Sequence, residues 1–252
     1  MADFPRTAGR APVAVLETVG STNAEALARA AAGERGPLWI VARTQDAGRG
    51  RRGRAWTSEP GNLYATLLLT DAAPPSAVSG ICFVAALALH DALLDAAHGL
   101  APAQLKLKWP NDLLLEGRKI AGILVEGAAR ATVIGFGVNC AHHPGKTEFP
   151  AGDLAGFAVS PEALLGFLGK AMDERLNEWN RGENFAAVRA AWIARAGGIG
   201  APVEVRLPDR TMSGTFEALD EGGALVLRHG NGARETIAAG DVFPLATSLA
   251  TR

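Results

Sequence analysis

The chain reads as an α+β protein: a mixed β-sheet domain with helices packed on it, followed by a small all-β domain. Three observations predict this. Short β-branched and aromatic runs recur between Val13 and Asn139. A long, mostly apolar segment from Ser76 to Ala97, and later segments at about Pro161–Trp179 and Phe185–Ala196, have helical composition. Beyond Gly197-Gly198-Ile199-Gly200 the texture changes to short strands separated by Pro-Asp, Glu-Gly-Gly and Gly-Asn-Gly turns. The domains are therefore set at residues 1–198 and 199–252.

Taken in order, Val13 to Glu17 is a short strand, and Thr18 to Asn23 is a turn and helix start. The oxygens of Ser21, Thr22 and Asn23 are suited to capping the helix Asn23 to Ala32, which Gly33 ends. Leu38 to Arg43 is a strand leading into a loop, and Asn62 to Leu69 is the strand leaving it. Pro74-Pro75 breaks the chain before the long helix, which is apolar enough to lie buried across the sheet. Leu105 to Trp109 alternates as a half-buried strand does, and Pro110-Asn111-Asp112 turns it. Leu113 to Leu115 and Ile120 to Glu126 form a hairpin around Glu116-Gly117-Arg118, and Thr132 to Asn139 is a further strand. Pro202 to Leu207, Met212 to Leu219, Ala224 to Arg228 and Arg234 to Ala238 make the small barrel.

Composition excludes several classes. Hydrophobic residues make up 48% of the 252, enough for a sizeable core, and the formal net charge is -1. A protein that coats nucleic acid usually carries a clear positive excess. Cys82 and Cys140 sit in apolar runs and read as buried thiols, with no Cys/His cluster at zinc spacing. The N-terminus lacks the apolar core of a signal peptide, and no uncharged apolar run reaches the length of a membrane span. These features predict a soluble, cytoplasmic protein with neither a membrane nor a nucleic-acid partner.

Residues Gln45 to Trp56 read Q-D-A-G-R-G-R-R-G-R-A-W. Gly48, Gly50 and Gly53 argue against regular structure, and Arg49, Arg51, Arg52 and Arg54 supply permanent planar cations that fit carboxylate and phosphate. Such a loop suits gripping a small anion and closing over it. A solvated basic face or a nucleic-acid patch is the plainer reading. The glycines also match G-x-G-x-x-G, but the turn-rich stretch after them opens no helix, so the dinucleotide-fold reading fails.

Three polar stretches accompany the loop. In Lys108-Trp109-Pro110-Asn111-Asp112, Asp112 is a candidate Mg²⁺ ligand, or Asn111 and Asp112 simply make an Asx turn. In Arg118 to Glu126, Lys119 offers a compact charge and Gly122 permits close approach. In Gly135-Phe136-Gly137-Val138-Asn139, two glycines leave a slot and an amide follows.

Together with Ser21-Thr22-Asn23, and in this order, these stretches closely resemble the biotin protein ligase family over nearly the whole chain. The resemblance implies a class II aminoacyl-tRNA synthetase-like biotin/lipoate ligase domain at 1–198, binding biotin and ATP, and a Src-homology-3-like barrel at 199–252. It implies a two-step reaction. Biotin and ATP, with Mg²⁺, form biotinyl-5'-AMP, and a lysine of a biotin carboxyl carrier protein or carboxylase subunit then takes the biotin.

By matching position, Ser21, Thr22, Asn23 and Gln45 look like groups on biotin's polar ring, with Gly48, Gly122 and Gly135 lining its site. Arg49, Gly50, Arg51 and Lys119 resemble the groups that meet the carboxyl and phosphate oxygens. Arg51, Arg52, Trp56, Asn111, Asp112, Lys119 and Asn139 are placed by the nucleotide. Only about a dozen residues precede the first strand, so the operator-binding domain of bifunctional members is not expected. A homodimer is left open. The rivals are a lipoate or octanoate ligase of the same superfamily, which lacks so dense a glycine-arginine loop; a nucleic-acid-binding module, disfavoured by the charge and by 6% aromatic content; and an inactive biotin sensor.

Overall fold

The structure is a computed structural model and describes residues 3–245. The first sheet has eight strands in the order β1-β2-β3-β4-β8-β7-β6-β5. They are β1 (Thr7–Ala8), β2 (Ala11–Val19), β3 (Leu38–Gln45), β4 (Leu63–Thr70), β5 (Leu105–Lys108), β6 (Asp112–Leu115), β7 (Arg118–Ala128) and β8 (Ala131–Val138). The pair β2–β3 is parallel and every other pair is antiparallel, so the sheet is mixed. A parallel pair needs a crossover, and α1 (Thr22–Ala31) supplies it.

The alternation along β3 sorts the two faces. Leu38 and Ile40 join Ala26 of α1 in one small apolar cluster, while Trp39 and Val41 face the main core. Over that second face lie α2 (Ile81–Ala96), α3 (Pro161–Trp179) and α4 (Phe185–Arg195). Helix α2 buries residues all round its circumference, from Ile81 and Phe83 to Ala92 and Leu93. The segment Val78–Ala96 is long and apolar enough to cross a membrane by composition, but here it is packed inside the domain. Ser160 caps α3 by accepting from the Ala163 N–H, with Pro161 in the first turn.

The second sheet, in the order β12-β11-β10-β9-β13, is wholly antiparallel. Its strands are β9 (Pro202–Arg206), β10 (Thr211–Leu219), β11 (Leu225–Arg228), β12 (Arg234–Ile237) and β13 (Asp241–Pro244). The sequence reading missed β1 and β13, each too short to show a period. Residues 246–252 of the expected second domain lie outside the described residues. One continuous core runs through both sheets and includes Val203, Val205 and Phe216 of the small domain. Trp109 ties them further, since its indole N–H donates to the Gly223 carbonyl at 3.0 Å.

Candidate active site

A cavity of about 370 Å³ opens at the ends of β3, β7 and β8, within the size range of small-molecule sites. Its wall gathers Ser21, Thr22, Asn23, Gln45, Arg49, Gly50, Arg51, Trp56, Lys108, Asn111, Asp112, Lys119, Gly122, Gly135 and Asn139. These residues come from five stretches of the sequence. Two of the expected residues are not on the wall. Gly48 sits at the neck of the loop, where a Cβ would fall 2.5 Å from the Trp56 carbonyl oxygen. Arg52 turns to the small domain and donates to Asp241 Oδ2 at 3.0 Å.

At one end the wall is a neutral polar frame. Gln45 Oε1 accepts from the Thr22 N–H at 2.9 Å and from its hydroxyl at 3.1 Å, and Gln45 Nε2 donates to Ser58 Oγ at 2.9 Å. Asn23 Nδ2 donates to Glu126 Oε2 at 2.8 Å and to the Leu124 carbonyl at 3.1 Å. The Thr66 hydroxyl lies 2.7 Å from Asn23 Oδ1 and 2.8 Å from Thr22 Oγ1. Ser21 stands at the N-cap of α1, yet makes no side-chain cap bond. The capping role expected of these oxygens is thus corrected: those of Thr22 and Asn23 serve the cavity frame instead. Asn23 lines the cavity but spends its amide within the protein, so it positions its neighbours.

The two glycines of β8 stand where a side chain would obstruct a neighbour, and both lie on the cavity wall. A Cβ on Gly135 would lie 2.3 Å from Asn23 Oδ1, and one on Gly137 would lie 2.5 Å from Trp56 Cε2. Both glycines make room for side chains of this protein. Trp56 lies over Gly137 and Gly122, with Lys119 Nζ 5.4 Å from its ring centroid, a cation–π distance. Its indole N–H is buried without a hydrogen-bond partner among the described residues.

At the other end the wall is charged. Asp112 Oδ1 pairs with Lys119 Nζ at 2.6 Å, and Asp112 Oδ2 with Lys108 Nζ at 3.3 Å. Burial alone would raise the Asp112 pKa, but the two ammoniums outweigh it and hold the carboxyl below its usual range. Burial pulls the Lys108 pKa down, with Asp112 opposing. Burial likewise lowers that of Arg51, which donates to Asn111 Oδ1 at 3.1 Å and to the Gly240 carbonyl at 3.2 Å. Arg49 Nη2 stands 3.6 Å from Glu126 Oε1. Asn139 Nδ2 donates to the Gly152 carbonyl at 2.9 Å, fixing the segment beyond β8.

Asp112 does not fit the metal role expected of it. Both its oxygens are matched by ammoniums, and no group of three or more His, Cys, Asp or Glu able to hold a metal occurs among the described residues. Sequence reasoning also missed wall residues. Lys146, Thr147, Glu148 and Phe149 lie in an irregular stretch with no period, and Asp241 and Phe243 come from the small domain.

A cation-rich cleft over the central strands of a mixed sheet defines the class. The chain matches the Biotin/lipoate A/B protein ligase family over residues 17–141, and the Biotin protein ligase C terminal domain over residues 198–243. It is 42% identical over 248 residues to the biotin–[acetyl-CoA-carboxylase] ligase of Paracoccus denitrificans, covering 91% of this chain and 99% of that one. Among solved structures it is similar to the biotin protein ligase of Leishmania major in complex with biotinyl-5-AMP, with a TM-score of 0.64, 28% identity, and coverage of 90% and 98% of the two chains. The biotin protein ligase of Aquifex aeolicus in complex with biotin and ATP shares the fold, with a TM-score of 0.77, 24% identity, and coverage of 92% and 97%. The chain belongs to the biotin protein ligase family.

Proposed function

We infer that this chain is an ATP-dependent biotin protein ligase. It condenses biotin with ATP to biotinyl-5'-AMP and pyrophosphate, then transfers biotin to a lysine amine of a carrier protein, releasing AMP. The observation that carries the reading is the two-ended cavity: a neutral hydrogen-bonding frame at Thr22 and Gln45, backed from within by the buried Thr66, and a cationic end at Arg49, Arg51 and Lys119. A ring with amide-like edges suits the first end, and the meeting of a carboxylate with a phosphate requires the second.

In the first step the biotin carboxylate attacks the α-phosphorus and pyrophosphate leaves. Two anions must approach, so the cations do most of the work. Lys119 is held by Asp112 and lies against the Trp56 ring, which fixes its ammonium at the cavity wall without a flexible search. Arg51 is anchored on Asn111 and the small domain, which leaves its loop drawn over the cleft. That cover keeps water from the anhydride. In the second step the carrier's amine attacks the acyl carbon and AMP departs. Mg²⁺ enters this reading as part of the ATP substrate, since no group of three or more His, Cys, Asp or Glu able to hold a metal occurs among the described residues. The carrier is taken to be the biotin carboxyl carrier of acetyl-CoA carboxylase, the setting the cytoplasm, and a homodimer remains compatible with the scheme.

The test is direct. The protein is incubated with ATP, Mg²⁺, radiolabelled biotin and a biotin carboxyl carrier domain, with lipoate in a parallel reaction. ATP-dependent label on the carrier lysine from biotin alone is the expected result. Label from lipoate in place of biotin, or no label at all, refutes it.

A further inference from the structure

We propose that Asp241 of the small domain is a positioning residue for the reaction, clasping the arginine loop over the cleft; the proposal rests on the ligase reading above. Three of the four loop arginines converge on this one carboxylate. Arg54 Nη2 reaches Asp241 Oδ1 at 2.8 Å, Arg52 Nη1 reaches Oδ2 at 3.0 Å, and Arg51 Nη1 stands 3.9 Å from Oδ1. The backbone beside it adds acceptors: the Gly240 carbonyl for Arg51, and the Arg206 carbonyl for Arg52 at 3.4 Å. Arg49 alone points the other way, to Glu126.

The same strand holds a second cover. Asp241 and Phe243 are two apart on β13, so both project to one side of the sheet. Phe243 meets Phe149 at a ring-centroid distance of 6.2 Å, and Arg206 lies 4.1 Å over the Phe243 ring. Lys108 Nζ sits 4.5 Å from the Phe149 ring, and Glu148 pairs with Arg206. The loop at 49–54 and the segment around 146–149 both line the cavity and both fasten to β13. Neither fastening needs a bound ligand, because every partner belongs to the protein. The small domain is therefore the fixed jaw against which the cleft closes.

Trypsin reads this clasp without any reaction, since it cuts after the loop arginines only when they are released. In Asp241→Asn, which keeps the shape and removes the charge, cutting within 49–54 should accelerate about tenfold, the scale set by several partly exposed pairs acting together. Cutting elsewhere should keep its rate, which excludes general unfolding. Asp241→Glu should restore slow cutting. In the Asp241→Asn background, adding Arg54→Ala should change the rate less than it does in the wild type. Preloaded biotinyl-5'-AMP should leave Asp241→Asn about tenfold faster on the same scale. Equal loop cutting in wild type and Asp241→Asn overturns the clasp. A protein that cuts as expected but never forms adenylate sinks the ligase reading and leaves the clasp standing.

Discussion

Replacing Asp112 by Asn tests the electrostatics of the cleft most sharply. Asp112 is 7% exposed and pairs with Lys119 at 2.6 Å and Lys108 at 3.3 Å. The Lys108 side chain is 13% exposed and that of Lys119 is 27%. The substitution keeps the volume but leaves two ammoniums facing each other without a counter-charge. Removing one partner of a buried pair costs about 3–5 kcal/mol, and the partial exposure of Lys119 argues for the lower end. At this chain length about 3 kcal/mol lowers the melting temperature by roughly 6–12 °C.

The pH dependence makes the prediction specific. The folded-state pKa of Asp112 lies below its ordinary 3.8, so its stabilisation is complete above that value and is lost as pH falls through the lowered one. The gap between wild type and variant should be flat from about pH 5 to 8 and close in acid. It should also narrow in alkali. Burial lowers the Lys108 pKa from 10.5, and losing Asp112 lowers it further, so the variant sheds that proton earlier. Urea denaturation followed by circular dichroism across this range measures the gap. Lys108→Met in the Asp112→Asn background should recover much of the loss. An equal midpoint at neutral pH, or a gap that persists in acid, refutes the account.

Lys119→Ala should cut biotin-dependent ATP–pyrophosphate exchange about 100-fold or more while biotin affinity falls far less, since the ammonium serves charge that develops in the reaction; exchange kinetics and calorimetry separate the two. Gly137→Ala should push Trp56 off its seat, because the new Cβ would lie 2.5 Å from Cε2, at a cost of about 1–3 kcal/mol; a red-shifted tryptophan emission and weaker nucleotide binding are the readouts. Thr66→Val removes the hydroxyl beside Asn23 Oδ1 and Thr22 Oγ1 and should destabilise by about 1–3 kcal/mol while weakening biotin binding; denaturation and calorimetry check both, and an unchanged biotin affinity would mean the frame tolerates its loss.

Most of the sheet was legible because its strands are short apolar or alternating runs bounded by turn residues, and α2 because no polar stripe interrupts it. The cleft was legible where chemistry is dense in sequence: the glycine-arginine loop, Lys108 to Asp112, and Lys119. What each residue touches was not, and the reason is physical. Gly135 and Gly137 mark a slot in the strand, since a glycine there signals close approach without saying by what. The approaching groups are Asn23 and Trp56, more than 80 residues away in the chain. Arg52 was read with Arg51 because neighbours in a loop look alike. Arg52 adopts a left-handed backbone (φ 57°), and its guanidinium reaches Asp241. Asp241 itself carried no signal, being one acid among 26 Asp and Glu in a four-residue strand. Its meaning arises only when the small domain is seated and three guanidiniums arrive together. Local pattern thus identifies which groups can act on an anion, whereas their pairing depends on contacts between distant segments. The loop's four cations show this: one turns to the sheet and three to the small domain, and nothing in Gly48 to Arg54 distinguishes them.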